Sequence, residues 1–139
     1  MKTVKYFLVF VLSFPVYAME FSQHIGKWKS NEQMTLQSMN GKKNIPEKMV
    51  KLFTKDFFGK LIIEIKEETV SSYFVDDNEW KQENLPYTKK VLSPNSIFIS
   101  YTDKETDIKL EYEYIFENNC FYTLVSKFQF REYFCRVVE

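Results

Sequence analysis

Apolar and polar residues alternate along most of the chain beyond residue 59, most clearly over residues 108–116. There Ile108, Leu110, Tyr112, Tyr114 and Phe116 share one parity, while Lys109, Glu111 and Glu113 take the other. A period of two is the pattern of a strand buried on one face. Glu117-Asn118-Asn119 then turns the chain. Beyond it, Tyr122, Leu124, Phe128 and Phe130 resume an apolar row against Thr123, Lys127 and Gln129, with Ser126 interrupting the row. Further strands are expected over residues 61–65, 70–75, 87–92 and 97–101. Lys66-Glu67-Glu68, Asp76-Asp77-Asn78 and Ser93-Pro94-Asn95 separate them as turns. With the N-terminal region this makes about eight strands. The intervening segments are too short for helical crossovers, so an antiparallel meander is expected. A mainly β fold follows, either a small barrel or a strongly curved open sheet clasping one helix.

That helix is expected over residues 45–58. Asn44 can cap it, Pro46 is tolerated in its first turn, and Glu47 stands at its third position. Ile45, Met49, Leu52, Phe53 and Phe57 fall on one helical face, and Gly59 is placed to end it. Residues 29–43 are polar apart from Met34, Leu36 and Met39. They predict a short strand through Met34 and Leu36, then a turn at Asn40-Gly41.

The first 18 residues read as an export signal. Lys2 and Lys5 precede the largely apolar stretch 6–16, and Val16-Tyr17-Ala18 supplies a cleavage site after Ala18. The stretch is short for a membrane span, and no cysteine follows it to carry a lipid anchor. A single exported, soluble domain over residues 19–139 is therefore expected, in a bacterial periplasm or outside the cell. The formal charge of zero falls to about −2 without the two leader lysines. No attraction to nucleic acid and no stable membrane insertion are implied. The 14 Phe, 9 Tyr and 2 Trp lie mostly beyond residue 18 and suffice for a substantial core.

Two cysteines, Cys120 and Cys135, predict a disulfide in an oxidising compartment. Extended chain would hold them roughly 50 Å apart, so the chain must reverse between them. A reversal at residues 126–129 sets them opposite each other; one at residues 130–132 demands an offset or bulged pairing. No CxxC redox centre is present, so the pair reads as structural.

Gly26-Lys27-Trp28 opens the exported domain. A Trp on a first strand can plug one barrel end, while the Gly lets the chain pass close to another backbone. In these residues the chain resembles the lipocalin-like β-barrels of the calycin type. The resemblance implies that Gly26 and Trp28 begin the first strand, and that the barrel encloses a small apolar or amphipathic ligand.

The residues contain no recognised catalytic motif. His24 is the single histidine and has no metal-ligand spacing around it. Phosphate loops, nucleophile elbows and zinc-protease helices are absent, so no catalytic residue, cofactor or metal is assigned. The acids Asp76, Asp77 and Glu79, and likewise Asp103, Glu105 and Asp107, lack the order of a calcium loop and read as solvated turns. Two non-enzymatic readings compete, and the sequence favours the first. The first is a protein-binding domain, such as a periplasmic inhibitor or immunity-type protein, contacting an exported partner through Asp76, Asp77, Glu79, Trp80 and Tyr87. The second is a lipocalin-like carrier whose cavity draws on Trp28, Phe74, Tyr112, Tyr114 and Tyr122.

Overall fold

The computed structural model describes residues 22–55 and 57–138; the expected leader lies outside them. Eight strands run in chain order: β1 (Gly26–Ser30), β2 (Leu61–Ile65), β3 (Thr69–Phe74), β4 (Asp77–Ser93), β5 (Ser96–Thr102), β6 (Lys109–Glu117), β7 (Cys120–Val125) and β8 (Phe130–Arg136). Each is antiparallel to the next, and β8 returns to pair with β1 through Trp28 and Arg136. The sheet is therefore a closed barrel rather than a curved open sheet. Closure pairs the edges that an open meander would leave exposed.

Period-two alternation sets the inward row. Trp28, Ile63, Ile65, Val70, Leu85, Ile97, Ile99, Tyr114, Phe116, Phe121 and Phe134 form one buried cluster. Residues paired across strands share a face, and register accordingly sets Trp28 against Ile63, Ile97 against Tyr114 and Phe121 against Phe134. The parity expected for β6 is the observed one. That expected for β7 is reversed: Phe121 and Thr123 are buried, Leu124 is exposed, and Arg131 lies over the Tyr122 ring, which packs on Tyr133. The turn at Glu117 to Asn119 and the Phe116–Phe121 pairing carry the row across on Phe121.

One irregularity has a large effect. Val70 pairs with Leu85 and Ser72 with Gln82, so β4 carries an extra residue around Asn84, whose φ is 51°. A bulge of this kind switches the inward parity of its strand. Gln82 before it and Leu85 after it are both buried. The chain turns between β3 and β4 next to the expected Asp76-Asp77-Asn78, but the strand expected at residues 87–92 is the second half of the single long strand β4.

Two short helices occur where one was expected. The first, α1 (Glu32–Met39), takes the place of the strand expected through Met34 and Leu36. Asn31 caps it, its side chain accepting from the Met34 amide at 3.0 Å. The reason for a helix here lies in β8. Five-residue β1 stops at Ser30, leaving the first half of β8 without a strand neighbour on that side. There α1 supplies hydroxyls instead: the Tyr133 N–H donates to Thr35 Oγ1 at 3.0 Å and the Arg131 N–H to Ser38 Oγ at 2.6 Å. The second helix, α2 (Glu47–Phe53), is shorter than expected. Pro46 is its N-cap, and Asn44 instead donates to the Phe128 carbonyl at 3.1 Å. Gly59, with φ 89°, stands past the helix and donates its N–H to Ser30 Oγ. Met39, Ile45, Phe53, Phe58, Phe128 and Phe130 form a second buried cluster between the helices and the β7–β8 turn.

Cys120 and Cys135 are directly opposed in the β7–β8 register and joined by a disulfide. Of the two reversals the spacing allowed, the one at residues 126–129 forms. Gln129 takes the left-handed conformation, with φ 55°, where Gly or Asn would be usual.

Candidate functional site: the barrel cavity

The inward row is not filled along its whole length. At one end Trp28, Phe116, Phe121 and Phe134 pack ring against ring, at centroid distances of 5.1 to 5.6 Å. His24 is buried there; its carbonyl accepts from the Trp28 indole N–H at 2.9 Å, and its Nε2 lies 3.2 Å from the Tyr87 hydroxyl. Towards the other end the side chains shorten or turn polar, and a cavity of about 230 Å³ remains. An eight-stranded barrel has an interior just wide enough for side chains or for one small ligand.

Its wall is drawn from seven strands and the loop after β5. Leu61 and Ile63 come from β2, Ser72 from β3, Trp80 and Gln82 from β4, and Tyr101 from β5 with Asp103 just beyond. Leu110, Tyr112 and Tyr114 come from β6, Thr123 from β7, and Glu132 and Phe134 from β8. The tyrosines form a ladder: Tyr101 and Tyr112 have ring centroids 6.0 Å apart, as do Tyr112 and Tyr114. Burial pushes the acidity constants of all three phenols upward. They stay neutral donors at ordinary pH.

Two carboxyl groups reach this space, and their surroundings differ. Asp103 at the rim is engaged by its own loop. Its Oδ1 accepts from the amides of Glu105 and Thr106 at 2.9 and 2.8 Å, and its Oδ2 accepts from Gln82 Nε2 at 2.6 Å. The Gln82 bond, then the Thr106 amide, hold its pKa below the usual carboxylate value. Glu132 is deeper. Among the described residues no hydrogen bond or ion pair holds its carboxylate, and burial alone pushes its pKa up to about 7. Its charge acts across the cavity on Tyr112 and Tyr114.

The residues expected at a ligand cavity are divided by the fold. Tyr112 and Tyr114 line it. Trp28 belongs to the packed end, Tyr122 to the outer face beneath Arg131, and Phe74 packs against Trp80 with tilted rings, centroids 4.9 Å apart, without forming part of the wall. The residues expected at a protein-binding rim are also divided. Asp76 and Asp77 are exposed in the β3–β4 turn, Asp76 pairing with Lys60 at 3.2 Å and Asp77 Oδ1 accepting from the amides of Glu79 and Trp80. Glu79 is exposed and Trp80 half-buried. Tyr87 lies seven residues along β4, about 20 Å of strand away. Its hydroxyl donates to the carbonyls of Lys66 and Glu67 at the packed end.

Glu132, Tyr101, Gln82, Ser72 and Thr123 were not anticipated as cavity residues. A signal for Glu132 exists: Phe130 and Phe134 flank it at i−2 and i+2, so their inward parity includes it. Gln82 shares inward parity with Trp80 at i−2, but the bulge puts it out of step with Leu85 and Tyr87 further along β4.

Fold and cavity together define a small up-and-down barrel with an aromatic, acid-bearing interior. No protein-family model, no curated protein and no solved structure matches the chain. Among the described residues no helix is long and apolar enough to cross a membrane, and no group of His, Cys, Asp and Glu is arranged to hold a metal ion.

Proposed function

We propose that the protein is a non-enzymatic binder of a small amphipathic molecule, carried inside the barrel and exposed to an oxidising, exported compartment. The observation that carries this reading is the cavity itself: apolar walls with a few convergent polar groups, the usual composition of a small-molecule site. The single histidine lies at the opposite, packed end, where it could not act on anything bound beside Glu132. The Cys120–Cys135 disulfide supports the compartment.

A protein partner is the weaker reading on this geometry. Trp80, its expected anchor, is half-buried, packed against Phe74 and turned to the cavity, and Tyr87 is remote from the acidic turn. Native mass spectrometry of the oxidised protein tests the proposal, run beside thermal-shift measurements with one- and two-ring amphipathic compounds. A bound small molecule or a saturable shift is expected, and Ser72→Phe, which fills the cavity, should remove it while the variant still melts cooperatively. A stoichiometric protein complex with no small-molecule binding would overturn the proposal.

A further inference from the structure

The cavity has a marked charge asymmetry. Its wall carries two carboxyl groups, three phenols and an indole, and no Lys, Arg or His. Asp103 has both oxygens committed to its loop and to Gln82, whereas Glu132 has no partner among the described residues. A half-buried carboxyl without a partner is harder to ionise than one in open water and favours a cation or a donor beside it. Around it stand aromatic faces, the side-chain surfaces that attract a cation by their ring quadrupoles.

We propose that the ligand is an organic cation: a primary amine on a compact, one-ring apolar body, its ammonium seated against the Glu132 carboxylate and the neighbouring tyrosine rings. This rests on the reading of the barrel as a small-molecule binder. The ammonium supplies the donors that Glu132 lacks, and the tyrosine hydroxyls offer acceptors for its remaining N–H groups. The apolar body lies against Leu61, Ile63 and Phe134, with Trp80 at the rim. A cavity of about 230 Å³ is small for a ligand site and suits an occupant of about one ring and a short chain. An anionic ligand meets two carboxyl groups and no compensating charge.

Uptake is consequently pH-dependent. The titratable groups facing Glu132 are Tyr112 and Tyr114 of β6, Tyr101 of β5 and Asp103 at the rim; β2, β3, β4 and β7 present none to the cavity. On the outside of β8, Arg131 is turned over Tyr122, and Glu32 of α1 lies beside Gly59. Across pH 5.5 to 8 Glu132 is the cavity group that changes charge, since the phenols are pushed upward and Asp103 downward.

Isothermal titration calorimetry of the oxidised protein with three probes on one phenylethyl skeleton decides the proposal: 2-phenylethylamine, 2-phenylethanol and 3-phenylpropanoate. At pH 8 the ammonium probe is expected to bind at least about tenfold tighter than the alcohol, with the carboxylate weaker than both. Glu132→Gln should reduce the ammonium probe to the affinity of the alcohol and leave the alcohol unchanged. In wild-type protein, lowering the pH to 5.5 should weaken the ammonium probe about tenfold and spare the alcohol, a comparison that stands even if the variant does not fold. Equal or better binding of the alcohol or carboxylate overturns the cation assignment alone. Binding of none of the three overturns the small-molecule reading with it.

Discussion

The guanidinium of Arg136 lies over the ring of Trp28, 4.3 Å from its centroid, and joins β8 to β1 at the packed end of the barrel. The same guanidinium donates to the carbonyls of Ile25 and Gln23 at 3.0 and 2.6 Å. Gly26 makes room for it: a Cβ there would stand 2.5 Å from Arg136 Nη1, and its φ of 140° disfavours any other residue. Gly26→Ala should therefore destabilise the protein by about 1–3 kcal/mol, and Trp28→Ala by about 3–5 kcal/mol, read from urea midpoints. An unchanged midpoint for Trp28→Ala would contradict the packing described.

Reducing the Cys120–Cys135 disulfide should cost about 3 kcal/mol, because it frees a loop of fifteen residues in the unfolded chain. Equilibrium unfolding with and without reductant measures it. Intact-mass analysis after thiol blocking should find no alkylatable cysteine in the native protein.

Thr35→Val should cost about 1–3 kcal/mol despite its matched shape. It leaves the Tyr133 N–H of β8 without the Oγ1 that replaces a strand neighbour, in a buried position. Thr35→Ser, which keeps the hydroxyl, should recover most of that stability. Amide exchange at Tyr133, accelerated in the Val variant and restored in the Ser variant, locates the effect.

Glu132 predicts an uncommon pH slope. Its folded pKa of about 7 lies above the ordinary 4.5, so between these values the folded state holds a proton that the unfolded chain has released. Stability is then greatest near pH 5 and falls as pH rises through 7, by about 2–3 kcal/mol for this group. Below pH 4 the opposite contribution of Asp103, whose pKa is depressed, is lost. Urea unfolding at pH 5 and pH 8 should show the decline. Glu132→Gln should flatten it and be the more stable protein at pH 8, the expected signature of a carboxylate kept for binding rather than for stability.

By itself the sequence determined what depends on neighbours two or four residues away. Alternation in β6 marked Leu110, Tyr112, Tyr114 and Phe116 as one inward row, and the two cysteines required a reversal between them. Gly26 and Trp28 marked the packed end. Other features waited on contacts between distant segments. Residues 32–39 form a helix because β1 ends early and β8 needs the hydroxyls of Thr35 and Ser38. Gln82 and Leu85 share the interior because β4 bulges at Asn84 against β3. The cavity itself is the clearest case. A void is what remains when eight inward rows of unequal length and polarity meet. Leu61, Tyr101 and Glu132 are ordinary strand residues until closure sets them around one space. Closure also half-buried Glu132 without giving it a partner among the described residues. No local pattern encodes that, because it is a property of the assembled wall.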